Sequence, residues 1–304
     1  MTQSEPLTSL VESRRQFLAL VADLRPELHR YCARMTGSIA DGEDVVQETL
    51  ARAYYALPEY PTIPPLRPWL FRIAHNRALD HLRRYEQRMG QPLDAAADAT
   101  DNGDADPEDA LAREHALHVA VSRFIELAPA QRCCVILKDV LGHSLDEIAA
   151  LLELSVPAVK AALHRGRVRL RDELANVAES APRAASPIVA RYAALFNARD
   201  WDGVRALLAD EVRLDLISRS QRSGRREVEL YFSNYDQVSD WHLRPAWLGD
   251  TEVIAVYRKP GDAHPDYFIE LTVNDDGIAL IRDFRYVPYV TQDAVFRFGK
   301  QGSE

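Results

Sequence analysis

HSLDEIAALLELSVPAVKAALHRGRVRLRDEL, residues 143–174, is the stretch on which the fold turns. Ser144 stands where a helix N-cap belongs and Glu147 follows three residues later, which is the pattern of a capping box. Ile148, Ala149, Leu151 and Leu152 give this first helix its apolar face. A turn of three residues leads to Ser155, a second cap, and Pro157 falls within the first turn of the next helix, where its missing N–H costs nothing. Val156, Val159, Leu163 and Leu170 keep a buried face, Gly166 permits close packing, and Lys160, His164, Arg167 and Arg171 occupy the opposite side. A short capped helix, a tight turn and a second helix with a basic outer face form the geometry that major-groove reading requires. Ala158, Ala161 and Arg165 are then placed to approach base edges, and the later arginines to sit on phosphates. An ordinary helical hairpin with a charged surface would carry the same pattern.

The segment before it, from Leu111 to Val140, reads as helix broken at Pro129, with Phe124, Leu127, Val135, Ile136 and Val140 as core and Gly142 as its end. Further back, residues 10–90 read as a helical domain. Phe17, Leu20, Val21 and Leu24, then Leu28, Tyr31, Cys32 and Met35, keep the spacing of buried helical faces. Pro26 suits a helix start and Gly37 a helix end. The next helix is expected to open at Asp41, burying Val46, Leu50, Ala53, Tyr54 and Leu57 and presenting Glu43, Asp44, Gln47 and Glu48 on its other side. From Pro68 to Arg88, Leu70 and Ile73 are buried while Arg77, His81, Arg84 and Arg88 share one face, with Arg72, Asn76 and Arg83 alongside. Trp69, Phe71 and Tyr85 are interleaved, a combination suited to holding phosphates and stacking unpaired bases. A merely solvated basic face is the alternative.

Charge and composition set the outer limits. The 304-residue chain carries a formal charge of -9, which on average disfavours a nucleic-acid partner. The acids are segregated: residues 91–109 hold Asp94, Asp98, Asp101, Asp104, Asp106, Glu108 and Asp109 without a basic residue, as a solvated linker would. From Leu154 to Arg171 there are five basic residues and no acid. The three cysteines, Cys32, Cys133 and Cys134, have neither disulfide nor metal-ligand spacing and read as core thiols. No apolar run approaches the length of a membrane span and residues 1–10 lack a signal-peptide core, so a cytoplasmic, non-membrane protein is expected. No metal, cofactor or catalytic motif is apparent, and the chain is not expected to be an enzyme.

DGEDVVQETLARAY (41–54) and PWLFRIAHNRALDHLRR (68–84) resemble, in order and spacing, the region 2 signature of the sigma-70 family, and residues 143–174 resemble its region 4. The whole resembles an extracytoplasmic-function sigma factor. That resemblance implies that Asp44, Gln47, Glu48 and Arg52 dock on the clamp helices of the β′ subunit of core RNA polymerase. It implies that Tyr60, Trp69, Arg72, Asn76, Arg77, Arg83 and Arg84 engage the opened -10 element of promoter DNA. Ser155, Ala158, Lys160, Ala161, His164, Arg165, Arg167 and Arg171 would read the -35 element from residues 110–176. Glu153 departs from the family, which more often has Gly in that turn.

Residues 186–292 shift toward strands. Ile188 to Phe196 and Val204 to Leu208 suggest two helices; Val212, Leu214 and Leu216 alternate, as do Val253 to Tyr257 and Tyr267 to Val273, and Asp275, Asp276 and Gly277 mark a hairpin. Helices followed by antiparallel strands give an α+β domain, here resembling the SnoaL-like cone-shaped fold. The expected fold class is therefore multi-domain, two all-α modules and an α+β domain. A pocket for an unknown small ligand would draw on Asp215, Trp241, His242, Trp247, Glu270 and Asp283. Where the family usually carries a glycine-rich motif, this chain has RSGRRE (222–227). The fused domain implies regulation in cis. A ligand-sensing helix-turn-helix regulator, or a SnoaL-type isomerase or cyclase with a DNA-binding arm, would share these features.

Overall fold

The computed structural model describes residues 4–89, 116, 120–175, 183–236, 240–292 and 294–299. The acidic segment 91–109 lies outside them. The chain divides into two compact units, residues 1–177 and 178–304.

The first unit is helical: α1 (Ser4–Leu20), α2 (Arg25–Thr36), α3 (Ile39–Ala56), α4 (Leu66–Met89), α5 (Pro129–Val135), α6 (Leu145–Leu152) and α7 (Val156–Ala175). Pro26 lies in the first turn of α2 and Gly37, at φ 75°, caps its end. Helix α3 begins earlier than Asp41: Ser38 is the N-cap and its hydroxyl accepts from the Asp41 N–H. The capping box at α6 forms in full, the Ser144 side chain receiving the Glu147 N–H and the Glu147 carboxylate receiving the Ser144 N–H at 2.7 Å. The expected break at Pro129 is present, and the segment leading to Gly142 is divided further. Val121–Glu126 is a 3-10 segment, α5 follows, and Ile136–Val140 winds as a π-helix. The part of that expectation covering residues 111–119 falls outside the described residues, Ala116 excepted.

One apolar core runs through the whole unit, from Phe17, Tyr31 and Met35 through Phe71 and Ala78 to Phe124, Val135, Ile148 and Leu170. Arg132 joins its two halves. Its guanidinium is fully buried and donates to the Met35 carbonyl at 2.5 Å, to Ile125 O at 2.9 Å and to Leu127 O at 2.9 Å. These carbonyls include one from the last turn of α2, which has no partner within its own helix. Gly166 is needed for close approach: a Cβ there would lie 2.7 Å from a Val135 methyl.

The second unit has α8 (Pro187–Asn197), α9 (Trp201–Ala206) and α10 (Arg225–Asp236) with a seven-stranded sheet of order β2-β1-β6-β5-β4-β3-β7. The strands are β1 (Leu208–Leu216), β2 (Ser220–Ser223), β3 (His242–Leu248), β4 (Thr251–Tyr257), β5 (Tyr267–Asn274), β6 (Gly277–Asp283) and β7 (Phe296–Arg297). β1 and β6 pair in parallel; the other pairs are antiparallel. The unit is α+β, as expected. Asp275 and Asp276 form the two-residue turn between β5 and β6, in register Asn274↔Gly277, with Gly277 at φ 124°. Tyr192, Phe196, Val204, Val228 and Phe232 of the helices pack with Leu214, Ile281, Ile269 and Ile254 of the sheet.

Candidate nucleic-acid interface

The polar side of α3 is narrower than its sequence suggests. Glu43 is fully buried and accepts from the Arg25 guanidinium at 2.6 Å, an internal ion pair. Asp44 and Gln47 are half-buried, Glu48 and Arg52 exposed. The Gln47 amide nitrogen is buried without a hydrogen-bond partner.

Across from Glu48, α4 presents its arginines. Arg77 pairs with Asp80 at 2.6 Å, Arg83 reaches the same carboxylate at 3.6 Å, and Arg84 lies 3.5 Å from Glu48. These groups, with Gln87, line a shallow depression of about 370 Å³. Asp80, inside the basic motif, is a group that the search for arginines passes over; its spacing of three from both Arg77 and Arg83 is the available signal. Such pairs between partly or fully exposed side chains contribute about 0–1 kcal/mol each. At the start of α4, the Trp69 indole N–H donates to the Tyr60 hydroxyl at 3.2 Å and the rings meet edge to face at 5.4 Å. Asn76 is exposed. Phe71 is not part of this surface: it is fully buried, 5.7 Å from Tyr31 and 5.3 Å from His143.

On α7, Ser155 caps the helix by accepting the Ala158 N–H at 3.3 Å. Ser155, Ala158, Lys160, His164 and Arg171 are exposed, Ala161 and Arg165 half-buried. They form one accessible face. Arg167 belongs elsewhere: its guanidinium makes two parallel bonds to Asp139, at 2.9 and 2.6 Å, with only 16% of the Arg and 2% of the Asp side chain accessible. This fork ties the second helix to the π-helical turn beneath it, in place of the phosphate contact expected of Arg167. The turn between the helices is closed by Glu153 in a left-handed conformation, φ 57°, and its carboxylate pairs with Arg72 of α4.

Where the two halves of the unit meet, His75 Nδ1 lies 2.7 Å from the Tyr31 hydroxyl, and the Cys133 thiol is 3.6 Å from His75, Tyr31 and the Met35 sulfur. Burial lowers the His75 pKa to about 4 and pushes the Cys133 and Cys134 thiols up to about 11 and 12. Burial likewise raises Cys32. All three thiols are buried and protonated, as core cysteines are.

The second unit does not gather its six candidate residues. Strand register puts Asp283 on the helix-covered face with Ile269 and Leu216, whereas Asp215 and Glu270 flank Arg282 on the other face. Asp283 is fully buried, accepts from the Tyr231 hydroxyl at 2.5 Å and from the Arg285 N–H at 2.9 Å. Glu270 binds Arg282 at 3.2 Å. Trp241 is buried against Tyr267, with the guanidinium groups of Arg258 and Arg285 at 4.6 and 5.0 Å from its ring centre. His242 is half-buried on β3, and Trp247 lies under Arg183, to whose carbonyl its N–H donates. Among the described residues no group of three or more His, Cys, Asp or Glu side chains is placed to hold a metal ion, and no helix is long and apolar enough to cross a membrane.

Comparison with known proteins assigns both modules to one family. The Sigma-70 region 2 family matches residues 20–88 and Sigma-70, region 4 matches residues 123–170. The ECF RNA polymerase sigma factor SigG of Mycobacterium tuberculosis is 34% identical over 283 residues, covering 83% of this chain and 76% of SigG. SigW of Bacillus subtilis is 29% identical over 170 residues, 53% of this chain and 90% of SigW. The crystal structure of the M. tuberculosis extracytoplasmic function sigma factor SigJ aligns over 88% of this chain and 95% of its own at 21% identity, with a TM-score of 0.36. The chain belongs to the extracytoplasmic-function (ECF) RNA polymerase sigma factors and directs promoter-specific initiation of transcription.

Proposed function

We propose a division of labour among the residues of this sigma factor. Asp44, Gln47, Glu48 and Arg52, one edge of α3, dock on the β′ clamp helices of core polymerase. Tyr60, Trp69, Arg72, Asn76, Arg77, Arg83 and Arg84 capture the opened -10 strand, the aromatic pair offering faces to unstacked bases and the arginines exchanging their carboxylate partners for phosphates. Ser155, Ala158, Lys160, Ala161, His164, Arg165 and Arg171 read the -35 element, while Arg167 holds their helix in place. Segments 10–90 and 110–176 are the two DNA-reading modules, 91–109 the tether between them, and 186–292 a SnoaL-like regulatory domain acting in cis in the cytoplasm. The observation that carries this reading is the accessible face of α7, capped by Ser155 and free of acidic side chains over its first four turns.

We infer that the second unit regulates without turning over a substrate; Asp283 lies on the opposite face of the sheet from Asp215 and Glu270 and already accepts two hydrogen bonds, which supports that reading. A small ligand remains compatible with that role. The deciding experiment is transcription of fragmented genomic DNA by core polymerase supplemented with the purified chain, with RNA 5′ ends mapped. New starts behind a shared pair of spaced elements are expected; absence of both polymerase binding and new starts refutes the reading. Arg165→Ala is expected to lose discrimination between intact and mutated -35 elements by ~1–3 kcal/mol. Deletion after Pro182 tests regulation, and unchanged polymerase binding and output would end that part of the proposal.

A further inference from the structure

Two promoter elements named for positions about 25 base pairs apart lie roughly 85 Å apart along B-form DNA at ~3.4 Å per step. In this structure the two readers are in direct contact. Arg72, on the -10-reading helix, is ion-paired to Glu153, the residue that turns the chain into the -35-reading helix. Phe71 and His75, on the same stretch of α4, are in contact with His143 and Cys133 of the second module, and Arg132 is fixed to the end of α2. One chain cannot touch both elements in this arrangement. The 19 residues from 91 to 109, spanning at most ~65 Å when extended, are long enough for the modules to part.

We propose that Glu153 is an intramolecular stand-in for a DNA phosphate, a carboxylate latch that occupies Arg72 and holds the two modules in a closed form that cannot engage a promoter. Three features of the pair suit this role. Both side chains remain accessible, 56% for Arg72 and 69% for Glu153, so the contact is exchangeable. The glutamate sits at φ 57°, a conformation that side chains other than Gly, Asn and Asp adopt at some cost, and it is kept there nonetheless. The contact joins a residue of one DNA surface to the turn of the other, so releasing it frees Arg72 and loosens the modules at once. The proposal rests on the assignment of Arg72 to the -10 strand.

Cys133 supplies the readout, since its thiol is buried between the modules. Cys32, buried within α2, serves as the control. The full-length protein and Glu153→Gln are treated with iodoacetamide, alkylation at each cysteine is followed by peptide mass spectrometry, and binding to a fluorescent mixed-sequence single-stranded DNA is measured in parallel. An exposed pair of this kind shifts a closed–open equilibrium ~1.4- to 5-fold. The variant is expected to alkylate faster at Cys133 by that factor with Cys32 unchanged, and to bind the single strand tighter by a similar factor. Raising salt should speed Cys133 labelling more in the parent than in the variant, because the variant lacks the exposed pair that salt screens; an equal salt response in both also overturns the latch. An unchanged Cys133 rate, or an equal rise at Cys32, overturns the latch. Faster Cys133 labelling with no gain in single-strand binding keeps the latch and instead removes Arg72 from the DNA-contact set.

Discussion

Replacing Asp139 by Asn separates two roles that Arg167 could have. If the fork between Arg167 and Asp139 positions the recognition helix, removing its negative half leaves a guanidinium with 16% of its side chain accessible facing a neutral amide. Breaking one half of a buried pair costs about 3–5 kcal/mol; residual solvent access at the arginine places the expected loss at the lower end, about 3 kcal/mol. Arg167→Met removes the other half, and the double variant should lose far less than the sum of the two, a coupling of roughly 1–3 kcal/mol. Urea unfolding of the full chain, followed by a probe confined to the first unit, measures all four corners of the cycle. DNA affinity against salt gives the second readout. A residue on a phosphate changes the slope of log affinity against log salt by about 0.9 when removed, whereas a positioning residue lowers affinity with little change of slope. Asp139→Asn losing under about 1 kcal/mol, together with a full unit of slope lost in Arg167→Met, would refute the structural role and return Arg167 to the DNA.

Gly166→Ala places a methyl 2.7 Å from Val135 and 3.2 Å from the Gln131 carbonyl; despite alanine's better helix propensity, a destabilisation of about 1–3 kcal/mol is expected in thermal or urea unfolding. His75 has its folded pKa depressed to about 4 by burial, against about 6.5 unfolded. Its contribution is therefore present above pH ~6.5 and lost as pH falls toward 4, amounting to roughly 3 kcal/mol; a pH series of urea midpoints should show this slope flattened in His75→Phe. Tyr231→Phe removes one bond from the buried Asp283 carboxylate, with an expected loss of ~1–3 kcal/mol from the second unit. Calorimetry of the full chain should show only that unit's transition moving.

How much of this is legible in the sequence follows the range of each interaction. The capping box at Ser144 and Glu147, the cap at Ser155 and the close approach at Gly166 are local or periodic signals, and the structure has them where the sequence puts them. What periodicity cannot reveal is a partner far along the chain. Glu43 reads as a surface acid because its partner, Arg25, is 18 residues away. Arg167 reads as a phosphate contact because Asp139 is 28 residues away and on another element. Phe71 shares a stripe with arginines, yet the second module covers it. The π-helical turn at Ile136–Val140 has no residue signature to announce it. In the second unit, β3 and α10 are missed by pattern alone: β3 is interrupted by Pro245 and α10 opens on the charged run Arg225 to Glu227. The six proposed pocket residues are candidates by type, and type does not say which face of a strand a side chain takes.

Arg132 and the Arg72–Glu153 pair hold the same two modules together by unlike means. The Arg132 guanidinium is buried and donates to three carbonyl oxygens, and an arginine keeps its proton throughout the physiological range. Neither salt nor acid has a handle on it. The outer pair is exposed and answers to salt. If the outer pair is the latch proposed above, ionic strength loosens the contact between the modules in small increments while the anchor holds; the response to the surroundings is a dial with a stop, and separation is reserved for a partner that supplies binding energy of its own.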